Sequence, residues 1–226
     1  EMSFVVTKEN AKMQVIFRIF EDGIGFRYVV DGDTTTQNEK TVITSEVSSF
    51  EFPMDGRVWN ADWYSSTYEP GSYSTRTMTQ VKNANGDVPP AILSQVANGN
   101  GSCYMLLTEA NVYNEEKPYC ATIFHTNQGS AAYKVQFSKY LKQEQDPEYV
   151  GKTFKAEYLP IESVTMENEF HTPWRVCIMT DTLNDLTNSS LVSDLNPAAE
   201  GDFSWVEPGT ACLLYTSPSP RDRQKS

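Results

Sequence analysis

The sequence predicts an all-β fold in which antiparallel strands pack as a sandwich. Short runs rich in β-branched and aromatic residues recur along the chain, and turn residues (Gly, Asn, Asp and Pro) separate them. Many short strands at regular spacing with turn signals are typical of a β-sandwich. Strands do not alternate with long helical patterns, so a parallel sheet is not expected, and no internal repeat is visible.

The composition fits a folded domain and argues against two classes of partner. Hydrophobic residues make up 39% of the chain and charged residues 21%, which is enough for a core and too apolar for disorder. The net charge of -12 argues against nucleic acid, because no basic patch neutralises phosphates. No run of about 18 apolar residues predicts a membrane span. The sequence starts at Glu1 rather than Met, so the absence of a signal peptide is uninformative.

The first predicted unit is a β-hairpin. Met13–Phe20 and Ile24–Val30 are both rich in β-branched and aromatic residues, and Glu21–Gly23 between them carries a turn signal. Asp31–Lys40 is polar and predicts a loop. Thr41–Phe52 alternates polar and apolar side chains, which predicts one further strand.

Later segments continue the strand pattern until it changes near the C-terminal end. The segments with strand character are Ala91–Val96, Ala121–His125, Ala131–Phe137, Thr153–Met166 and Val176–Met179. Between them, Lys139–Lys152 is charged and predicts a surface excursion. From Asp181 onward, leucines at helical spacing predict one helix that starts at Asp181 or Thr182 and stops at Asn196–Pro197.

An aromatic-rich stretch, Arg57–Tyr73, interrupts this series. It carries Trp59 and Trp63 among Asn, Asp and Ser residues. Exposed aromatic rings in such surroundings can stack on sugar rings. They can equally pack a long loop onto the sandwich, and the packing interpretation is slightly favoured.

Glu109 is the main candidate site residue. It follows Cys103–Leu107, a short apolar run after an Asn/Gly turn, which predicts a buried strand. A glutamate at a strand end is usually solvated and without a role. A carboxylate held on a rigid strand terminus is nevertheless a good ligand for a hard cation, because its geometry is set before the ion arrives.

The cysteine and histidine residues indicate no site. The four cysteines (Cys103, Cys120, Cys177 and Cys212) form no CxxC pair at zinc spacing and are expected to be free thiols. His125 and His171 are interpreted as structural. Arg175 lies in an apolar strand and is expected to pair with an acid across the sheet rather than to act in catalysis.

Five motifs, in this order and spacing, carry a resemblance to a known family. They are FEDGIGFRY (Phe20–Tyr28), YEPGSY (Tyr68–Tyr73), LLTEAN (Leu106–Asn111), TPWRVCIM (Thr172–Met179) and DLNPA followed by SWVEPG (Asp194–Gly209). The chain resembles the N-terminal domain of glycoside hydrolase family 97 (starch-utilisation α-glucosidase-like). The resemblance covers nearly all of residues 1–211.

The resemblance implies both a fold and a role for Glu109. The implied fold is an antiparallel β-super-sandwich resembling the galactose mutarotase fold, followed in the family by a (β/α)8 catalytic barrel and a small β domain. Family members bind calcium at the barrel mouth, and the N-terminal domain lends one glutamate to it. That glutamate corresponds to Glu109 in the TEA motif, so calcium is the expected cofactor and Glu109 its metal ligand.

The resemblance places the catalytic residues outside this chain. Glycosidic cleavage ordinarily needs two paired carboxylates. Glu115 and Glu116 are adjacent and would point apart on an extended chain, so they form no credible pair. No catalytic residue is therefore predicted, and the fragment is expected to be inactive. The expected partners are an α-linked oligosaccharide and the chain's own barrel, and the expected location is periplasmic or secreted.

Three regions are predicted along the chain. Residues 1–196 form the β-sandwich domain, whose first strands are expected to be missing, and residues 197–211 form a linker toward the barrel. Residues 212–226 are expected to be non-native, because CLLYTSPSPRD resembles a translation of the adapter used in transposase-based sequencing libraries. A disordered native tail is the alternative.

Two other classes of function remain open. One is a stand-alone carbohydrate-binding sandwich without catalysis, which the aromatic residues of Arg57–Tyr73 support. The other is a structural or adhesion sandwich without a ligand. The WVEPG segment after Asn196–Pro197 favours a domain that precedes a barrel over either alternative.

Overall fold

The structure is a computed structural model, and it describes most of the chain up to residue 206. The described residues are 1–8, 11–33, 40–51, 56–61, 74–83, 86–98, 101–112, 119, 122–126, 129, 132–142, 157–167 and 169–206. The predicted tail at residues 212–226 and the end of the predicted linker lie outside these residues. The acidic pair at 115 and 116 lies outside them as well.

Seventeen strands and three short helices form the described part of the chain. The strands are β1 (Met2–Lys8), β2 (Ala11–Phe20), β3 (Gly23–Asp33), β4 (Lys40–Ile43), β5 (Ser49–Glu51), β6 (Gly56–Asn60), β7 (Ser74–Thr77), β8 (Gly86–Val88), β9 (Ile92–Asn98), β10 (Gly101–Ala110), β11 (Thr122–Thr126), β12 (Ala132–Phe137), β13 (Lys139–Lys142), β14 (Glu157–Pro160), β15 (Val164–Glu167), β16 (Phe170–His171) and β17 (Trp174–Thr180). The helices are α1 (Met78–Asn83), α2 (Leu183–Asn188) and α3 (Leu191–Asp194). The prediction of an all-β fold is confirmed.

The strands form one large sheet, one smaller sheet and two short ribbons. The large sheet has nine strands in the order β1-β2-β3-β17-β10-β9-β6-β7, and β16 also pairs with β3. The smaller sheet has the order β5-β12-β11-β8, and the ribbons are β13-β14 and β15-β4. Every strand pairing is antiparallel. The segment that carries Glu109 is thus a central strand, β10, flanked by β9 and β17.

The main core lies between the large and the small sheet. Apolar side chains alternate along β10 and β17, so one set from each strand faces the small sheet. The buried members of this core are Val58, Met78, Val81, Val88, Ile92, Val96, Leu107, Phe124, Tyr133, Val135 and Cys177. The opposite face of β17 carries Trp174, Val176 and Ile178, which pack against α3. The large sheet is therefore covered on both faces at β17.

The predicted hairpin is confirmed, whereas the prediction of one strand over Thr41–Phe52 is wrong. β2 and β3 pair across the two-residue link, with Phe20 opposite Gly23. The second segment divides into β4, which pairs with β15, and β5, which pairs with β12 in another sheet. Alternation reports the local strand period, but distant partners decide which sheet a strand joins. The link between the two strands carries Glu46.

The single predicted helix is two helices with a break. Thr182 caps α2 as predicted, and its hydroxyl accepts a hydrogen bond from the Asp185 N–H at 3.1 Å. α2 ends before Ser189, which has an extended backbone and donates its hydroxyl to Asp22 Oδ2 at 2.5 Å. That contact ties the break to the β2–β3 turn. Leu191 and Leu195 are then buried against the large sheet, as expected for the apolar face of an amphipathic helix.

The aromatic-rich stretch Arg57–Tyr73 begins as a strand rather than as an irregular loop. β6 occupies its start and pairs with β7 and β9, and Val58 within it is fully buried. Trp59 is half-buried on this strand. The structure describes this stretch only as far as Ala61, so its other aromatic residues lie outside the described residues. In the part of the chain that the structure describes, no helix is long and apolar enough to cross a membrane.

Candidate functional site

Glu109 lies on β10 opposite Arg175 on β17. The antiparallel register pairs these two residues directly, with Leu107 opposite Cys177 two positions along. Because side chains alternate along a strand, Glu109 and Arg175 point to the same side of the sheet as the main core. The Glu109 side chain is only 6% exposed, so the interpretation as a solvated strand-end acid is wrong.

Arg175 lies at the centre of a buried network with two carboxylates. Its Nη1 donates to Glu109 Oε1 at 2.6 Å. Its Nε donates to Glu46 Oε1 at 2.9 Å and its Nη2 to Glu46 Oε2 at 2.6 Å. The Arg175 side chain is fully buried, and a planar guanidinium is the donor that fits such a two-point contact. The prediction that Arg175 pairs with an acid across the sheet is confirmed.

Glu46 is itself held in place from a second direction. Ser48 donates its hydroxyl to Glu46 Oε1 at 2.8 Å, and the Ser48 hydroxyl also lies 2.9 Å from the hydroxyl of Tyr28. The backbone carbonyl of Ser48 accepts from the Val135 N–H at 2.8 Å, which joins this link to β12. The position of Glu46 therefore depends on both sheets of the sandwich.

One oxygen of Glu109 retains acceptor capacity. The backbone N–H of Thr122, at the start of β11, lies 3.3 Å from Oε1 and 3.2 Å from Oε2. Oε1 also accepts from Arg175, whereas Oε2 accepts from no other described residue. A carboxylate has about four lone-pair sites, so Oε2 can take a further partner.

The network buries one more negative than positive charge among the described residues. Burial raises the pKa of Glu109 above its ordinary value, and the nearby Glu46 carboxylate adds to this effect. The charge of the Arg175 guanidinium and hydrogen bonding by Thr122 lower the pKa of Glu109 but do not outweigh burial. Burial lowers the pKa of Arg175, but its hydrogen bonds to Glu46 and the charges of Glu46 and Glu109 outweigh burial. An additional cation near Glu109 would relieve the excess negative charge.

The residues present fit a contribution to a calcium site, but not a whole one. A carboxylate oxygen with spare capacity on a fixed side chain is a suitable donor for Ca²⁺. The described residues contain no group of three or more His, Cys, Asp or Glu side chains arranged to hold a metal ion. Since Ca²⁺ takes six to eight oxygen ligands, the remaining donors would have to come from elsewhere.

A cavity of about 260 Å³ opens next to Glu46. Apolar and aromatic side chains form most of its wall, together with Glu46, Ser45 and Thr172. The lining residues are Met13, Tyr28, Val30, Ile43, Ser45, Glu46, Val47, Tyr119, Phe170 and Thr172. It lies beside the charged network and not around Glu109.

The other sequence candidates take structural positions. His125 Nδ1 lies 2.6 Å from Asp87 Oδ1, and Lys139 forms an ion pair with the other oxygen of Asp87. His171 Nδ1 lies 3.3 Å from the carbonyl oxygen of Thr172. Cys103 and Cys177 are free thiols, and burial raises the pKa of Cys177 to about 12, so that thiol is unreactive.

Sequence reasoning missed Glu46. It stands 129 residues before Arg175, in a segment that was interpreted as the middle of a strand. Its position in the polar half of an alternating pattern predicts exposure rather than a buried ion pair. The only local signal is the neighbouring Ser48, and a serine two positions from a glutamate is too common to indicate a site.

Comparison with known proteins agrees with the topology and with the motifs. The sequence profile of the family described as Glycosyl-hydrolase 97 N-terminal matches residues 1–197. None of the curated proteins matches the chain at a significant score. The match spans both sheets of the sandwich and includes Glu46, Glu109 and Arg175. The chain belongs to the glycosyl-hydrolase 97 N-terminal family.

Proposed function

We propose that the chain is the N-terminal domain of a calcium-dependent α-glycosidase and that it contributes Glu109 as one ligand of the calcium ion. The observation that carries this proposal is the state of the Glu109 carboxylate. It is fixed by Arg175 and Thr122, it is nearly buried, and one of its oxygens retains acceptor capacity. Family membership supplies the association with glycoside hydrolysis.

The catalytic groups belong to a barrel that follows this domain. On this proposal the parent enzyme hydrolyses α-linked glucosides or galactosides, and the acid and its partner carboxylate lie in the barrel. Calcium would supply positive charge at the reacting centre, while Glu109 holds one of its coordination positions. The domain acts outside the cytoplasm, in the periplasm or after secretion. The chain alone does not cleave glycosides.

The experiment compares the parent enzyme with two glutamine variants. The coding sequence downstream of codon 211 is recovered from the source DNA and expressed with this domain. Calorimetry then measures Ca²⁺ affinity for the parent, for Glu109→Gln and for Glu51→Gln, an exposed glutamate on β5 that serves as the control. We expect Glu109→Gln alone to weaken Ca²⁺ binding and to regain activity at high Ca²⁺. An unchanged affinity in Glu109→Gln would contradict the proposal.

A stand-alone carbohydrate-binding module is the second candidate, and the cavity beside Glu46 favours it. Tyr28, Tyr119 and Phe170 line that cavity, and aromatic faces are suited to stacking on sugar rings. The test is a titration of the chain with maltooligosaccharides, followed by tryptophan fluorescence, together with an assay on aryl α-glucosides and α-galactosides. Micromolar quenching would favour the binding module. Hydrolysis that survives purification would overturn both candidates.

A further inference from the structure

The buried network fixes the plane of the Glu109 carboxylate. In a free glutamate the last torsion has little preference, so that plane is not fixed. Here Arg175 Nη1 donates to Oε1 at 2.6 Å, and the Thr122 N–H lies 3.3 Å from Oε1 and 3.2 Å from Oε2. Oε1 is thereby committed to the protein, and Oε2 is the oxygen left for another partner.

Arg175 can hold that orientation because Glu46 holds Arg175. Two of its nitrogens, Nε and Nη2, bind the two oxygens of Glu46 and fix the plane of the guanidinium. Nη1 is then directed at Glu109 along the cross-strand register. The Arg175 side chain is completely buried, so water does not compete for these donors.

We propose that Arg175, clamped by Glu46, is a positioning residue that presents Oε2 of Glu109 to the cation. This inference rests on the proposed function, because it assumes that Glu109 is a metal ligand. It goes further in assigning to Arg175 and Glu46 the task of orienting the ligand before the ion arrives. Outer groups that orient a metal ligand typically change metal affinity by about 10–100-fold when they are replaced.

The first measurement uses the unmodified chain. Carbon-13 NMR on the side-chain carboxyl and on the χ couplings of Glu109 reports whether the side chain is held in one rotamer, and millimolar Ca²⁺ is then added. We expect one rotamer before the addition, and a shift of the Glu109 carboxyl signal with the same rotamer afterwards. Several exchanging rotamers in the metal-free chain would overturn the positioning role without any variant being needed.

The second measurement separates orientation from charge. Arg175→Lys keeps the positive charge but loses the planar fork, and Arg18→Lys, on a 40% exposed side chain that contacts Trp174 on the other face of the sheet, is the matched control. Near-UV circular dichroism verifies that each variant is folded. Both variants are made in the parent enzyme, where the remaining calcium donors are present, and we expect Arg175→Lys to weaken Ca²⁺ binding about tenfold and Arg18→Lys to leave it unchanged. Equal Ca²⁺ affinity in folded Arg175→Lys and in the unmodified parent would refute the positioning role.

Glu109→Gln distinguishes a failure of this inference from a failure of the proposed function. If Glu109→Gln abolishes the Ca²⁺-dependent signal and Arg175→Lys does not change it, Glu109 is a ligand and Arg175 only stabilises the fold. If the Ca²⁺-dependent shifts of the rest of the chain are the same in Glu109→Gln, Glu109 is not a ligand, and the proposed function falls together with the inference. Loss of the Ca²⁺-dependent signal in Glu109→Gln, together with a weaker signal in Arg175→Lys, would support both the proposed function and the positioning role of Arg175.

Discussion

Glu46 and Arg175 stand 129 residues apart in the chain, and the two oxygens of Glu46 accept from Nε and Nη2 of Arg175 at 2.9 and 2.6 Å. This two-point ion pair joins the β4–β5 link to the central strand β17 of the large sheet. The same guanidinium donates to Glu109 on the neighbouring strand. The candidate metal ligand is therefore connected to both sheets through one buried arginine.

Replacing Arg175 by methionine should strongly destabilise the chain. The change leaves Glu46 and Glu109 buried with exposed fractions of 5% and 6% and without their cation. Removing one partner of a buried ion pair typically costs about 3–5 kcal/mol. Urea denaturation measures the free energy of unfolding, with Arg18→Met as the control, because Arg18 is 40% exposed and its loss should cost less than about 1 kcal/mol. An equal loss of unfolding free energy in the two variants would contradict a stabilising role of the buried network.

Glutamine at position 46 should cost more stability than glutamine at position 109. Glu109→Gln removes the excess negative charge, and the ion pair between Arg175 and Glu46 stays balanced. Glu46→Gln removes one of the two oxygens that Arg175 binds and leaves an amide group against a cation. We expect a difference of about 1–2 kcal/mol between the free energies of unfolding of the two variants. A larger loss in Glu109→Gln would show that Glu109 is the main partner of Arg175.

Stability should fall at acid pH through Asp87. Burial raises the pKa of Asp87, but hydrogen bonds from Lys139 and His125 and their charges outweigh burial and hold that pKa below its ordinary value of 3.8. A carboxyl whose folded pKa is depressed stabilises the fold fully above its ordinary, unfolded pKa, and this contribution is lost as the pH falls through the folded pKa.

Asp87→Asn tests that pH dependence. The variant should be less stable than the unmodified chain at pH 6, and the gap should narrow as the pH is lowered below about 4. The measurement is the free energy of unfolding of both proteins as a function of pH. A gap that stays constant over the whole acid range would mean that Asp87 carries no depressed pKa.

Alanine at Gly23 should destabilise the central part of the large sheet. A Cβ there would overlap the backbone carbonyl oxygen of Cys177 on β17, and it would lie 2.8 Å from Leu191 Cδ1. Backbone cannot move aside as a side chain can, so a cost of about 1–3 kcal/mol is expected. Gly86→Ala is the control, because no atom lies within 4 Å of a Cβ at that position. Thermal unfolding of both variants provides the comparison, and equal midpoints would contradict the close approach.

The sequence by itself determined the fold class, most strands and one candidate residue. The strand period and the turn residues are local features, and the order of motifs is a property of the sequence itself. They can therefore be identified without a structure. The β2–β3 hairpin, the cap at Thr182 and the cross-strand pairing of Arg175 with an acid are all of this kind. Glu109 could be selected because it lies two positions after an apolar run, Cys103–Leu107.

Only the tertiary structure decided what surrounds Glu109. The alternating pattern of residues 41–52 does not predict that β4 and β5 join different sheets, because each pairs with a strand that is distant in the sequence. That change of sheet brings Glu46 to Arg175, and Arg175 in turn orients Glu109. A long-range ion pair leaves no periodic mark in the sequence, since its energy depends on burial and on contacts between residues far apart in the chain.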